Sequence, residues 1–114
     1  MAKLLIVDDE ENIREVVREY AEFSGFDVEE AGDGREAVGL CRINDYDLII
    51  MDIMMPKLDG FSACKEIKKE KDVPVIMMSA RGEEYDKLFG FELGIDDYVT
   101  KPFSPKELMA RVNA

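Results

Sequence analysis

Three short apolar runs recur along the chain, at residues 3–7 (KLLIV), 48–51 (LIIM) and 73–78 (VPVIMM). Runs of this length without polar alternation suit strands covered on both faces, which is how strands of a parallel sheet sit. Residues 26–28 (FDV) and 98–100 (YVT) read as two weaker strands. Parallel neighbours need a crossover, so a helix is expected after each strand. The period duly changes. After the first run, Ile13, Val16, Val17, Tyr20 and Ser24 follow helical spacing with charges on the opposite face. Asp33 is placed to cap a second helix carrying Ala37, Val38 and Cys41, with Glu36 three residues on. Asp59 and Gly60 open a third, carrying Ala63, Cys64 and Ile67. A fourth is expected over residues 83–93. The last begins with Ser104, Pro105 and Glu107, a cap, a first-turn proline and a capping-box acid, and presents Leu108, Met109 and Val112. Five strands alternating with five helices predict a doubly wound α/β fold, a parallel sheet with helices on both faces.

Composition narrows the chemistry. The chain has 114 residues, enough for one core and one domain, residues 1–114. Its last helix reaches Ala114 without a Gly or Pro stop, so it reads as truncated. A net charge of −11 argues against binding nucleic acid or anionic membrane, because that affinity comes from Lys and Arg. There is no histidine, which excludes a Ser/His/Asp or Cys/His catalytic arrangement and any imidazole metal site. Oxygen-only metal binding remains open. Cys41 and Cys64 form no CxxC pair and read as core residues of a reduced, cytoplasmic protein. Every apolar run falls far short of the ~20 residues that span a bilayer, so a soluble chain is expected.

Acids gather where such a fold keeps its ligands. Open α/β sheets bind beyond the carboxyl ends of their strands. The first strand runs into Asp8, Asp9, Glu10 and Glu11, and the third into Asp52. If those strands are neighbours, ~4.8 Å apart, three carboxylates converge and repel one another unless a cation sits among them. Mg²⁺ suits such a pocket, since it takes oxygen ligands, one or two carboxylates and retained waters. Taken alone, Asp8 and Asp9 are equally well explained as charge compensation at a helix N-terminus. Asp52 is harder to explain away, because it ends a fully apolar strand. Ser79 ends the fourth strand and Lys101 follows the fifth, adding a hydroxyl and an ammonium to the same edge. Such a set could hold a phosphoryl group. A Walker loop is absent, and no second aspartate stands two residues after Asp52, which argues against a nucleotide binder and an aspartate-nucleophile phosphatase.

With Asp8 and Asp9 in IVDDE, Asp52 in LIIMDIMMPKLDG, Ser79 and Ala80 after VIMM, and Lys101 and Pro102 in DDYVTKPF, the chain resembles the receiver domain of two-component response regulators over its whole length. The resemblance implies a flavodoxin-like five-stranded sheet in the order 2-1-3-4-5. It implies that Asp52 accepts a phosphoryl group from a sensor histidine kinase, which also supplies the histidine this chain lacks. Asp8, Asp9, Asp52 and the carbonyl of Met54 would hold Mg²⁺, with Mn²⁺ as a substitute. Lys101 would pair with the phosphoryl oxygens, and Ser79 with Tyr98 would form the conformational switch. The domain would catalyse its own phosphorylation and dephosphorylation without turning over an external substrate.

The stretch LGIDDYVTKPFSPKELMARV is similar to receivers that precede a winged-helix DNA-binding domain. It implies a C-terminal output domain beyond this chain and a homodimer on phosphorylation. Lys87 would pair with Glu107, and Asp97 with Arg111, across the two-fold axis. A stand-alone receiver-like interaction module is the alternative reading of the same residues.

Overall fold

The computed structural model describes residues 2–79, 97–100 and 104–113, and the side chains at 79, 98, 100 and 105 lie outside that description. In chain order the described elements are β1 (Lys3–Val7), α1 (Glu11–Phe23), β2 (Asp27–Ala31), α2 (Gly34–Ile43), β3 (Leu48–Asp52), α3 (Gly60–Glu70), β4 (Val75–Ser79), β5 (Asp97–Thr100) and a C-terminal helix (Pro105–Val112). The helix expected over residues 83–93 falls outside the described residues.

All strand pairs are parallel, in the order β2-β1-β3-β4-β5. The order reverses direction between β1 and β3, whose register pairs Val7 with Met51. Asp8 and the strand-ending Asp52 therefore emerge side by side. Alternation along each strand divides the core in two. Leu5, Val7, Ile49, Met51, Val75 and Met77 pack under α2 and α3, while Leu4, Ile6, Ile50, Ile76 and Met78 pack under α1 and the C-terminal helix. This double cover is why β1 and β3 read as unbroken apolar runs.

Caps hold the helices where the sequence places them. Asp33 Oδ1 accepts the Glu36 N–H at 2.8 Å, Asp59 Oδ1 accepts the Ser62 N–H at 2.9 Å, and Ser104 Oγ accepts the Glu107 N–H at 3.4 Å. Cys41 and Cys64 are buried and unbonded to each other, and burial pushes the Cys41 thiol up to about 11. Among the described residues no helix is long and apolar enough to cross a membrane.

Two expectations need correction. The face of α1 turned to the sheet is Val17 and Ala21, buried, with Ile13 partly buried, whereas Val16, Tyr20 and Ser24 are exposed, and Phe23 is 93 % exposed. Successive helical residues are about 100° apart, so Val16 and Tyr20 turn away from the narrow strip that meets the sheet. β2 extends to Ala31 through two acids, because each finds partners. Glu29 accepts from Tyr46 Oη at 2.5 Å and pairs with Lys3, and Glu30 is clasped by Arg14 and Arg18.

Those clasps make the fold sensitive to acid. The Tyr46 hydroxyl, then Lys3, lowers the Glu29 carboxyl below its ordinary value. Burial opposes the charge on Glu30, yet Arg18 and Arg14 outweigh it and hold that carboxyl low as well. The Glu36 N–H does the same for Asp33. A carboxyl depressed on folding contributes stability that is complete above its unfolded pKa and is lost as pH falls through the folded value. Urea unfolding should therefore show stability declining below about pH 4.5, and Glu30→Gln should make that decline shallower.

Candidate functional site

The carboxyl edge of the sheet carries the cluster expected there. One carboxylate oxygen from each of Asp8, Asp9 and Asp52 lies within 4.8 Å of the others. Asp8 is fully buried, Asp52 is 4 % exposed, and Asp9 faces solvent. Asp8 and Asp52 are thus shielded from solvent, and Asp9 forms the open side. Asp8 belongs to a hydrogen-bonded turn: its N–H donates to the Ala31 carbonyl at 3.1 Å and its Oδ1 accepts the Glu10 N–H at 2.9 Å. A set made only of oxygen donors, with two acids buried and one open to water, fits a hard divalent cation that keeps part of its hydration shell.

The loop from β3 to α3 completes the edge. Ile53 N–H donates to the Met78 carbonyl at 2.9 Å, and Gly60 N–H returns to the Ile53 carbonyl at 2.8 Å, so the loop closes directly beneath Asp52. Met54 lies in that loop with its side chain mostly exposed. A tight turn is centred on Lys57, where the Leu58 N–H meets the Pro56 carbonyl at 2.7 Å and Lys57 takes φ 67°. A positive φ at a residue with a Cβ is uncommon, and the turn is held from α2. Lys57 Nζ lies 3.6 Å from Asp33 Oδ2, and Leu58 rests on Gly34.

Two glycines make these approaches possible. A Cβ on Gly60 would fall 2.2 Å from the Asp52 carbonyl oxygen, and one on Gly34 would fall 2.2 Å from that of Leu58. Both obstacles are backbone. Reading the sequence assigned Gly60 only to a helix start and gave Gly34 no role. The DG pairs at 33–34 and 59–60 are the signal that was there, but the atoms each glycine meets belong to distant or irregular backbone.

The remaining expected residues divide. Ser79 ends β4 beside Thr100 of β5, on the same edge as Asp52, and Tyr98 pairs with Met77. Lys101 and Lys87 lie outside the described residues. Asp97, Glu107 and Arg111 do come together, within one chain. Arg111 Nη1 lies 2.9 Å from both Asp97 carboxylate oxygens, and Nη2 lies 3.6 Å from Glu107 Oε1. Asp97 and then Glu107 raise the Arg111 guanidinium above its usual value. Arg14 was not foreseen. Its Nη1 donates to the Asp8 carbonyl at 2.7 Å.

A parallel α/β sheet with a buried acid at the β3 edge and two more on the adjoining β1 loop is the arrangement of a phosphoacceptor signalling domain. The chain belongs to the response regulator receiver domain family, whose model matches residues 4–113. Among curated proteins it is 53 % identical over 112 residues to the probable transcriptional regulator ycf27 of Guillardia theta, covering 98 % of this chain and 44 % of that protein. It is 50 % identical over 113 residues to the alkaline phosphatase synthesis transcriptional regulatory protein PhoP of Bacillus subtilis, covering 98 % and 47 %. The chain therefore spans less than half the length of these relatives. Among solved structures, the receiver domain of the Francisella response regulator 1452 matches with a TM-score of 0.94 at 43 % identity, covering 99 % of this chain and 94 % of that one. The BeF3-activated DrrB receiver domain matches at 0.91 and 34 % identity, covering 99 % and 95 %.

Gly60→Ala and Gly34→Ala should each lower stability by roughly 1–3 kcal/mol in urea denaturation, the usual result of forcing a group into a packed site. A loss below about 0.5 kcal/mol, the range of neutral surface changes, would show that the loop yields freely.

Proposed function

We propose that this chain is the phosphorylation switch of a transcriptional regulator, with Asp52 as the phosphoacceptor and a sensor histidine kinase as the donor. The observation that carries the reading is the buried Asp52 carboxylate, set at the sheet edge within reach of Asp8 and Asp9. Family membership and the transcriptional regulators it resembles support it.

In the reaction, a carboxylate oxygen of Asp52 attacks the phosphorus of a phosphohistidine. A P–O bond forms as the P–N bond breaks, and the electron pair remains on the imidazole nitrogen, which is then protonated. Asp8, Asp9, Asp52 and the Met54 carbonyl would hold Mg²⁺, or Mn²⁺ in its place. Bound there, the cation supplies charge neutralisation for the transferring group. The low exposure of Asp8 and Asp52 limits the access of bulk water to the nucleophile. The open side at Asp9 leaves the approach for the donor.

Lys101 is assigned to the phosphoryl oxygens, and Ser79 and Tyr98 to the conformational response. The regulator is assigned a cytoplasmic location, a C-terminal winged-helix DNA-binding domain, and a homodimer on phosphorylation. For that dimer, Arg111 must leave or share its in-chain partners Asp97 and Glu107. Such an exposed pair is worth only ~0–1 kcal/mol, so exchange between chains is energetically accessible.

Incubation with acetyl phosphate and Mg²⁺ should add one phosphoryl group, read by intact mass. Asp52→Ala should abolish it, and phosphorylation that survives the substitution would reassign the nucleophile. Sedimentation with beryllofluoride and Mg²⁺ should show a dimer that Arg111→Glu weakens, whereas a monomer at high concentration would remove the dimer from the reading.

A further inference from the structure

Asp9 is the exposed member of the acid cluster, so burial among the described residues does little to fix its side chain. Its position is inherited from the backbone of the β1–α1 turn, and above all from the peptide joining it to Asp8. A trans peptide is planar, so fixing the Asp8 carbonyl also fixes the direction in which Asp9 leaves. Arg14 fixes that carbonyl. It reaches back from the start of α1, with its side chain only 18 % exposed, and donates from Nη1 to the Asp8 oxygen at 2.7 Å.

Arg14 is itself anchored. Its Nε donates to Glu30 Oε1 at 2.9 Å, while the other Glu30 oxygen accepts from Arg18 Nη1 at 2.6 Å. Glu30 stands on β2 next to Ala31, whose carbonyl takes the Asp8 N–H. Consecutive residues of β2 thus hold both backbone polar groups of Asp8, one directly and one through the guanidinium.

We infer that Arg14, anchored by Glu30, is a positioning residue for the divalent cation site, holding the Asp8–Asp9 peptide so that both carboxylates face Asp52. The inference rests on the metal site of the proposed function. It makes a prediction of distinctive sign. If Arg14 acted only through its charge, removing a cation beside the acids would tighten Mg²⁺ binding. If it acts by position, removal should weaken binding, as loss of groups that orient metal ligands does.

Mg²⁺ titration of the whole chain, followed by backbone amide NMR shifts, decides between them. Arg14→Ala should weaken Mg²⁺ binding roughly tenfold, and Glu30→Gln should weaken it by a smaller factor. The double variant should be no weaker than Arg14→Ala alone, because both changes release one clasp. Arg18→Ala, which touches Glu30 but not the Asp8 turn, should stay within about twofold of the unaltered chain. Unchanged or tighter binding in folded Arg14→Ala overturns the inference. Should that variant fail to fold, unchanged affinity in Glu30→Gln overturns it equally. Absence of Mg²⁺ binding by the unaltered chain overturns the metal reading and this inference with it.

Discussion

Three carboxylates brought within 4.8 Å of one another, two of them buried, are a cost that the rest of the fold is arranged to bear. Removing a carboxylate from water is expensive, and crowding like charges adds to that expense. The cluster persists because each acid sits where it has little freedom to leave. Asp52 ends a strand hydrogen-bonded on both sides, Asp8 is tied into a turn against Ala31 and Glu10, and Asp9 follows the same constrained peptide. Crowded carboxylates of this kind favour a neighbouring positive charge, which is the physical basis for the cation proposed at this edge.

The scaffold around it combines stiffness with selective openness. Two apolar layers fill both faces of the sheet, so β1 and β3 cannot slide without disturbing both cores at once. The longest loop among the described residues, 53–59, follows β3 at the carboxyl edge. There the Lys57 turn leans on the N-terminus of α2, and Gly60 lets α3 begin against the Asp52 carbonyl. The loop that follows Asp52 is therefore braced from two helices.

Much of this was legible in the chain. β1 and β3 announce themselves because double burial leaves an unbroken apolar run, and Asp33, Asp59 and Ser104 cap the helices they precede. Asp52 could be picked out because a carboxylate closing a fully apolar strand is costly to bury, whereas Asp8 and Asp9 also suit the start of a helix. The exposed side of α1 was misread. Val16 and Tyr20 fit the helical period as well as Ala21 does, and only the line of contact with the sheet separates them. β2 was cut short because its acids look unlike strand residues until Lys3, Tyr46, Arg14 and Arg18 are in place around them.

What the amino-acid order determined by itself was local or periodic: alternating elements, parallel strands, capped helices, and three acids bound for one sheet edge. Tertiary structure alone decided the relations between distant segments. Arg14 could not be assigned beforehand, since its targets are a backbone oxygen and a glutamate sixteen residues away. Gly34 could not be tied to Leu58, nor Arg111 to Asp97 within the chain, before helices and loops had docked. Side-chain type and period are written along a sequence, whereas which backbone atom a side chain meets depends on where the packed elements bring it.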